Sequence, residues 1–224
     1  MKKAAPLFTQ KRLGHPDAKR DLNREIFTTV APRYQAITGI LSFRRDAVWK
    51  KRLVQSLPAM ADPVCLDLAC GTGDIALLLT GKYPGGRIIG IDLTEAMLDI
   101  ARRRPSSSSI EYHCRDMAQT GLEDASVDLV TGGYALRNAA DLPSVLAEIF
   151  RVLKPGGRAA FLDFSKPRSR RLQRLERSLL TFWGGLWGWV FHRNPGVYTY
   201  IAESLALYPD RPRLHQLFID HGFS

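Results

Sequence analysis

The run Val64-Cys65-Leu66-Asp67-Leu68-Ala69-Cys70-Gly71-Thr72-Gly73-Asp74 is an apolar, β-prone segment that ends in a glycine turn and then an acidic residue able to open a helix. Gly71 and Gly73 carry no Cβ and tolerate unusual φ, so the turn lets main chain approach a ligand closely. Arg87 to Asp92, with Ile88-Ile89-Gly90-Ile91 at its centre, reads as a second strand that closes on a carboxylate roughly twenty positions after the turn. A carboxylate at that offset can accept both hydroxyls of a ribose. The ligand is therefore expected to be an adenosine-type cofactor, with Asp92 as its ribose partner.

Gly71-x-Gly73-x-x-Ala76 also satisfies the spacing of a dinucleotide fingerprint, so a nicotinamide or flavin dehydrogenase has to be weighed. Charge separates the two. A pyrophosphate seated at a helix N-terminus is repelled by carboxylates there, whereas the ammonium and sulfonium of S-adenosylmethionine are attracted. Asp67 ahead of the loop and Asp74 at the helix start favour S-adenosylmethionine. The plainer alternative, a tight turn with Asp74 as a helix cap, leaves Asp92 unexplained.

Working outward, helix is expected over residues 74–79, 94–104 and 142–153, the second with Thr94 as its cap. Ile110 to Cys114 and Val127 to Thr131 read as further strands, and Pro155-Gly156-Gly157 as a turn into a strand from Arg158 to Phe164. Strands alternating with helices at this spacing predict a doubly wound α/β fold with a mostly parallel sheet. Residues 1–20, broken by Pro6, Gly14 and Pro16, are expected to form a loose basic arm. Residues 21–224 then form one domain, with N-terminal helices over 21–60, broken at Pro32 and around Gly39, and lid helices inserted over 168–208.

At 224 residues, with 45% hydrophobic and 24% charged composition, the chain suits one buried α/β domain with a modest helical addition. No leader or spanning run is evident, so the expected location is the cytoplasm. Cys65, Cys70 and Cys114 have no metal-ligand spacing and read as buried free thiols, and no metal is expected. The net charge of +10 is compatible with nucleic acid, an anionic membrane or an acidic substrate. Much of it lies in the arm and in Arg168, Arg170, Arg171, Arg174 and Arg177. The latter run leads into a segment holding Trp183, Trp187, Trp189 and Phe191, an interfacial pattern of basic then aromatic residues.

Leu66-Asp67-Leu68-Ala69-Cys70-Gly71-Thr72-Gly73, Asp92 and Arg151-Val152-Leu153-Lys154-Pro155-Gly156-Gly157-Arg158 resemble class I methyltransferases. Other features resemble the quinone C-methyltransferases of menaquinone and ubiquinone biosynthesis. These are Phe27-x-x-Val30-Ala31-x-x-Tyr34, Leu41-Ser42-Phe43 with Trp49, Leu136-Arg137-Asn138, Phe164-Ser165-Lys166-Pro167 and Tyr200-Ile201-Ala202-Glu203-Ser204 with Pro209-Asp210. The likeness runs from about Asn23 to Phe223. Departures fall where the family reads Tyr-Asp-x-Met-Asn and this chain has Tyr34-Gln35-Ala36-Ile37-Thr38, at Asp46 in place of His, and at Asp163 in place of Glu. Relatives continue past Gly222-Phe223-Ser224 into two more strands, so a final strand pair is expected to be missing.

The resemblance implies S-adenosylmethionine held by Thr72, Asp92, Leu93, Asp116, Met117 and Gly133, beside the loop residues Asp67, Gly71 and Gly73. Asp116 follows a strand and can accept from the adenine amino group, or merely cap its loop. Met117 packs on the adenine or fills a core gap. The implied acceptor is a prenylated quinol ring, most simply demethylmenaquinol, with a ubiquinone precursor as a second. Arg137 is then expected to stabilise the phenolate or orient a water as base, unless it pairs with Asp163 or Asp141. Asn138, Tyr134 and Tyr200 are further candidates. A prenylated acceptor brings the lid aromatics against the anionic inner face of the cell membrane, unless they only pack over the sheet; a homodimer is also open. The rivals are a methyltransferase for a sterol, phenol or natural product, and a basic nucleic-acid-binding module. The latter lacks any helix-turn-helix, zinc-finger or aromatic RNA-binding signature.

Overall fold

The computed structural model describes residues 10–224, residue 195 apart. A short helix α1 (Gln10–Leu13) and a longer α2 (Pro16–Val30) lead through a 3-10 turn (Ala31–Arg33) to α3 (Tyr34–Leu41) and α4 (Arg45–Ser56). The expected loose arm is overturned from residue 10 onward. Pro16 occupies the first turn of α2, where its missing N–H costs nothing, so it starts a helix. Leu22, Ile26 and Val30 then bury one face of α2 at helical spacing. The rest of the arm, residues 1–9, lies outside the described residues. The break expected at Gly39 falls instead at Phe43 and Arg44, both in the left-handed region at φ 51° and 60°.

The sheet follows with β1 (Val64–Leu68), α5 (Asp74–Lys82), β2 (Arg87–Asp92), α6 (Glu95–Arg102), β3 (Ile110–Cys114), β4 (Val127–Gly133), α7 (Leu142–Val152) and β5 (Leu153–Leu162). Its order is β3-β2-β1-β4-β5, and every pairing is parallel. The fold is α/β and doubly wound, as the alternation implied. β5 begins earlier than expected, because Leu153 already pairs with Val127. The register then jumps so that Arg158 faces Leu129, and Pro155-Gly156-Gly157 bulge out of the strand. Gly156, at φ +78°, permits that bulge. Leu66, Leu68, Val130 and Ile149 centre one side of the core, while Cys65, Leu79, Ile88 and Leu129 centre the other. Cys65 and Cys70 are buried, but Cys114 is exposed: β3 is the sheet edge, so nothing covers its last residue.

Beyond β5, α8 (Arg170–His192) and α9 (Gly196–Leu207) form the expected lid as a hairpin, and α10 (Arg211–Asp220) closes the described chain. Gly184 lets the two lid helices touch, because a Cβ there would sit 2.8 Å from the Tyr198 carbonyl oxygen. Trp183 and Trp187 stack edge to face 5.6 Å apart, and Trp187 lies 5.4 Å from Phe191. Trp187 and Phe191 pack against a buried cluster that holds Tyr198 and Tyr200 of α9 and Leu22, Ile26 and Val30 of α2. Those aromatics serve packing beneath the lid, whereas Trp189 points outward, 64% exposed.

Candidate active site

The strand order reverses between β1 and β4, and in open α/β sheets ligands lie outside the C-terminal strand ends at such a point. A cleft there is lined by Gly71, Asp92, Leu93, Asp116, Met117 and Gly133, with Arg20, Asn23 and Phe27 of α2 over it. A narrow extension shares Tyr34, Gly71 and Gly133 with the cleft and reaches Asp67, Thr72 and Asp74. All the expected cofactor residues except Gly73 therefore converge. Gly73, at φ +81°, is held by Tyr112, whose hydroxyl would lie 2.4 Å from an added Cβ. It serves the turn and the packing of β3, not the cleft.

The acidic residues sort themselves differently from the expectation. Asp74 is neutralised by Lys50 at 2.8 Å and by Arg104, and together these outweigh burial and hold its carboxyl below the usual range. Asp67 has no such partner. Its Oδ1 accepts from the Thr131 hydroxyl at 2.9 Å, its Oδ2 is buried with no hydrogen bond, and burial pushes the carboxyl up to about 7. The attraction for a cation thus resides in Asp67. Thr72 Oγ1 is a second buried, unpartnered oxygen beside it. Two orphaned oxygens in one cleft fit the ammonium end of a methionine moiety. Asp92 spends one lone pair of each oxygen on main chain, accepting from Gly71 N at 2.8 Å and Thr94 N at 2.9 Å. The remaining lone pairs can take ribose hydroxyls, and burial raises this carboxyl to about 6. Asp116 accepts from Ala118 N at 2.9 Å and from Arg20 Nε at 2.6 Å, so it caps its loop as well as lining the cleft.

A second cavity of about 160 Å³ lies behind the first. Arg137, Asn138 and Tyr200 all line it, beside Trp49, Phe164 and Ile201. Phe27, Tyr34, Tyr134 and Asn138 line both cavities and form the wall between them. Reading from sequence omitted Phe27 and Tyr34 as site residues. They lie on different helices, Phe27 near the end of α2 and Tyr34 at the start of α3, with ring centres 6.4 Å apart edge to face, so helical periodicity does not pair them and the signal is the run Phe27-x-x-Val30-Ala31-x-x-Tyr34. Tyr134, at φ +58°, has its hydroxyl 3.0 Å from Asp46 Oδ1, and Asp46 in turn pairs with Lys50 at 2.8 Å. Asp46, a departure from the family pattern, therefore holds a polar group at the wall.

Arg137 is buried, with its guanidinium bonded to Ser204 Oγ, 3.8 Å from Asp163 and 5.4 Å from the Phe164 ring centre. The alternative partner Asp163 is thus present, and its Oδ2 also accepts from Arg137 N at 3.0 Å. Asp141 instead caps α7 by accepting from Ser144 N at 3.1 Å. Tyr200 donates to Asn23 Oδ1 at 2.5 Å and lies 3.0 Å from Asn138 Oδ1, while burial holds its phenol up at about 12. Asn23 Nδ2 also donates to Asn138 O at 2.6 Å, and Lys19 to Ala139 O at 2.5 Å. Helix α2 therefore clamps the Leu136–Asn138 turn, and Tyr200 braces it from α9.

The fold and the paired cavities define an α/β methyltransferase of class I. Solved structures share that fold: the methyltransferase bound to the Trm112 activator from Haloferax volcanii, with TM-score 0.64 and 21% identity over 88% of this chain and 75% of that one, and an S-adenosylmethionine-dependent methyltransferase from Thermotoga maritima, with TM-score 0.62 and 21% identity over 90% and 81%. The ubiE/COQ5 methyltransferase family model matches residues 16–224, and the chain belongs to that family. It is 36% identical to the demethylmenaquinone methyltransferase of Thermus thermophilus, over 89% of this chain and 91% of that protein. It is also 36% identical to the 2-phytyl-1,4-naphtoquinone methyltransferase of Thermosynechococcus vestitus, over 88% of each.

Proposed function

We propose that the protein transfers a methyl group from S-adenosylmethionine to a ring carbon of a prenylated quinol, demethylmenaquinol above all. The wall shared by Phe27, Tyr34, Tyr134 and Asn138 carries the reading, because a donor in one cavity then faces a ring in the other. The names of the relatives support naphthoquinols as that ring. When bound, S-adenosylmethionine supplies an electrophilic methyl on a sulfonium. Asp67 and Thr72 hold the methionine end, Asp92 the ribose, and Asp116 and Met117 the adenine.

The chain's own contribution is orientation and proton management. Alignment of two reactants is worth up to about 7–11 kcal/mol in favourable cases. Transfer of the ring hydroxyl proton to a water pushes electron density onto the adjacent carbon, and after that carbon takes the methyl its own hydrogen leaves as a proton to solvent. Arg137, the cation of the acceptor cavity, stabilises the resulting oxyanion, and its fork is already set by Ser204 and Asp163. Asn138 orients the ring hydroxyl, and Tyr200 keeps Asn138 in place. The enzyme works from the cytoplasm on the inner face of the cell membrane, where a prenylated acceptor resides.

Incubating the purified chain with isotopically labelled S-adenosylmethionine and reduced demethylmenaquinone in detergent should give a monomethylated quinol by mass spectrometry. A demethylated ubiquinone precursor is tested alongside as a second acceptor. Absence of product from either quinol, with turnover of a simple phenol or sterol, would overturn the quinol assignment.

A further inference from the structure

The outward side of α8 carries Leu172, Leu175, Leu179, Phe182, Leu186 and Trp189 at alternating spacings of three and four, each between 42% and 70% exposed. That spacing keeps them on one stripe, roughly 25 Å long at the rise of an α-helix. Scattered exposed apolar residues are ordinary, but a continuous stripe on one helix marks an interaction surface. It is also distinct from the aromatics that pack inward, since Trp187 and Phe191 are half-buried against the cluster of α2 and α9, while the half-buried Trp183 lies at the edge of the stripe.

Charge selects the occupant. Arg168, Arg171 and Arg174 stand exposed at the N-terminal end of the stripe and Arg193 at its other end, and none makes an ion pair among the described residues. The helix has a single carboxylate, Glu176, and it is half-buried on the inner side. A second copy docked on the same stripe would bring these arginines together with no acid between them. Nucleic acid would take the arginines and leave the leucines in water. An apolar stripe with an arginine rim and an aromatic at one end is instead the pattern of a helix lying in an anionic bilayer interface. The edge of the stripe leads toward the acceptor cavity: Trp183, next to Phe182 in the chain, stacks on Phe43, 76% exposed, at 6.0 Å, and Ser42 beside Phe43 lines that cavity. No described helix is long and apolar enough to cross a membrane, so the contact is one of lying on the surface.

We propose that the outward face of α8, from Leu172 to Trp189 with its flanking arginines, is the surface by which the protein docks on anionic lipid. The proposal deepens the quinol reading, on which it rests for the purpose of the docking, but its test is independent. The probe is a sedimentation assay with phosphatidylcholine vesicles, with and without phosphatidylglycerol, containing no quinol. Wild type should bind the anionic vesicles and lose most of that binding at high salt. The variant Leu179→Gln/Phe182→Gln/Trp189→Gln should bind at least tenfold more weakly, and Arg171→Gln/Arg174→Gln should lose the preference for phosphatidylglycerol. Both alter exposed residues outside the cavities, so their melting temperature and S-adenosylhomocysteine affinity should match wild type. In activity assays the triple variant should fail on long-chain quinol in vesicles yet turn over a short-chain quinol in solution.

Wild-type vesicle binding by the triple variant would overturn the proposal. So would a concentration-dependent dimer in sedimentation velocity that the triple variant abolishes, with no vesicle binding by either protein, since the stripe would then serve a second copy. Vesicle binding without methylation of any quinol in detergent would sustain the docking surface and remove the quinol reading. Methylation without vesicle binding would do the reverse.

Discussion

Asp67 sits at the end of β1 with one oxygen satisfied and one orphaned, and its protonation should govern cofactor affinity. The ammonium of S-adenosylhomocysteine favours the ionised carboxylate, and the free carboxyl lies at about 7. Affinity should therefore rise as pH rises through that value, by about tenfold between pH 6 and 8 in calorimetry. Asp67→Asn should bind weakly at both and lose the slope; an unchanged slope would exclude the residue. Asp67 and Asp92 were legible because their offset from the glycine turn follows from strand and helix lengths. The neutralisation of Asp74 was not, since Lys50 and Arg104 lie 24 and 30 positions away. Arg137 carries a harder test, because the alternative ion pair with Asp163 is present. Arg137→Ala leaves a buried carboxylate unpaired, so stability should fall by about 3 kcal/mol in urea denaturation. The double variant Arg137→Ala/Asp163→Asn should regain much of that stability and still lack turnover. Restored turnover would make Arg137 a strut.

Among the elements, β2 and β3 match their expected bounds: the apolar run Ile88–Ile91 lies between Arg87 and Asp92, and β3 starts where the serine loop ends, at Ile110. α2 and β5 were misread for opposite reasons: a proline taken as a breaker opens a helix, and a glycine turn taken as a boundary is a bulge inside a strand. The lid was legible as helix from its length, yet which aromatics face inward depends on the partner helix, which periodicity alone does not supply. The hairpin itself hangs on close approach at Gly184. Gly184→Val should therefore pry α9 from α8, costing about 1–3 kcal/mol of stability through overpacking. Tyr200, Ile201 and Ser204 ride on α9 and line or brace the acceptor cavity. Turnover of the quinol should thus fall more than tenfold, with KM raised, while S-adenosylhomocysteine still binds in calorimetry. Equal loss of both ligands would mean that the lid also shapes the cofactor cleft.

At the scale of the molecule, the sheet concentrates two buried carboxyls, Asp67 and Asp92, at one rim, and each is easier to protonate folded than unfolded. The folded state therefore binds more protons than the unfolded state between the ordinary carboxylate range and about 7. Stability must then fall as pH rises through that window, the reverse of the usual acid denaturation. The ion-paired Asp74, Asp128 and Glu148 are held low, so their contribution is lost only at more acid pH. His192, held low by burial, works against the trend as pH falls through its ordinary value. The comparison is therefore best made against variants. Without ligand, wild type should gain about 2–4 kcal/mol on going from pH 8 to pH 5, before other groups are counted. Asp67→Asn, which cannot ionise, should be more stable than wild type at pH 8 by about 2–4 kcal/mol, and the gap should narrow as pH falls and close only near pH 4, where the unfolded carboxyl also protonates, in urea denaturation. A cationic ligand offsets the same burial penalty on the ionised carboxylate. S-adenosylhomocysteine should accordingly raise the melting temperature of wild type more at pH 8 than at pH 5.5, and that of Asp67→Asn by similar amounts at both. A pH-independent gap between the two proteins would show that Asp67 is already ionised in the folded state throughout, and would remove the raised carboxyl on which the pH dependence rests.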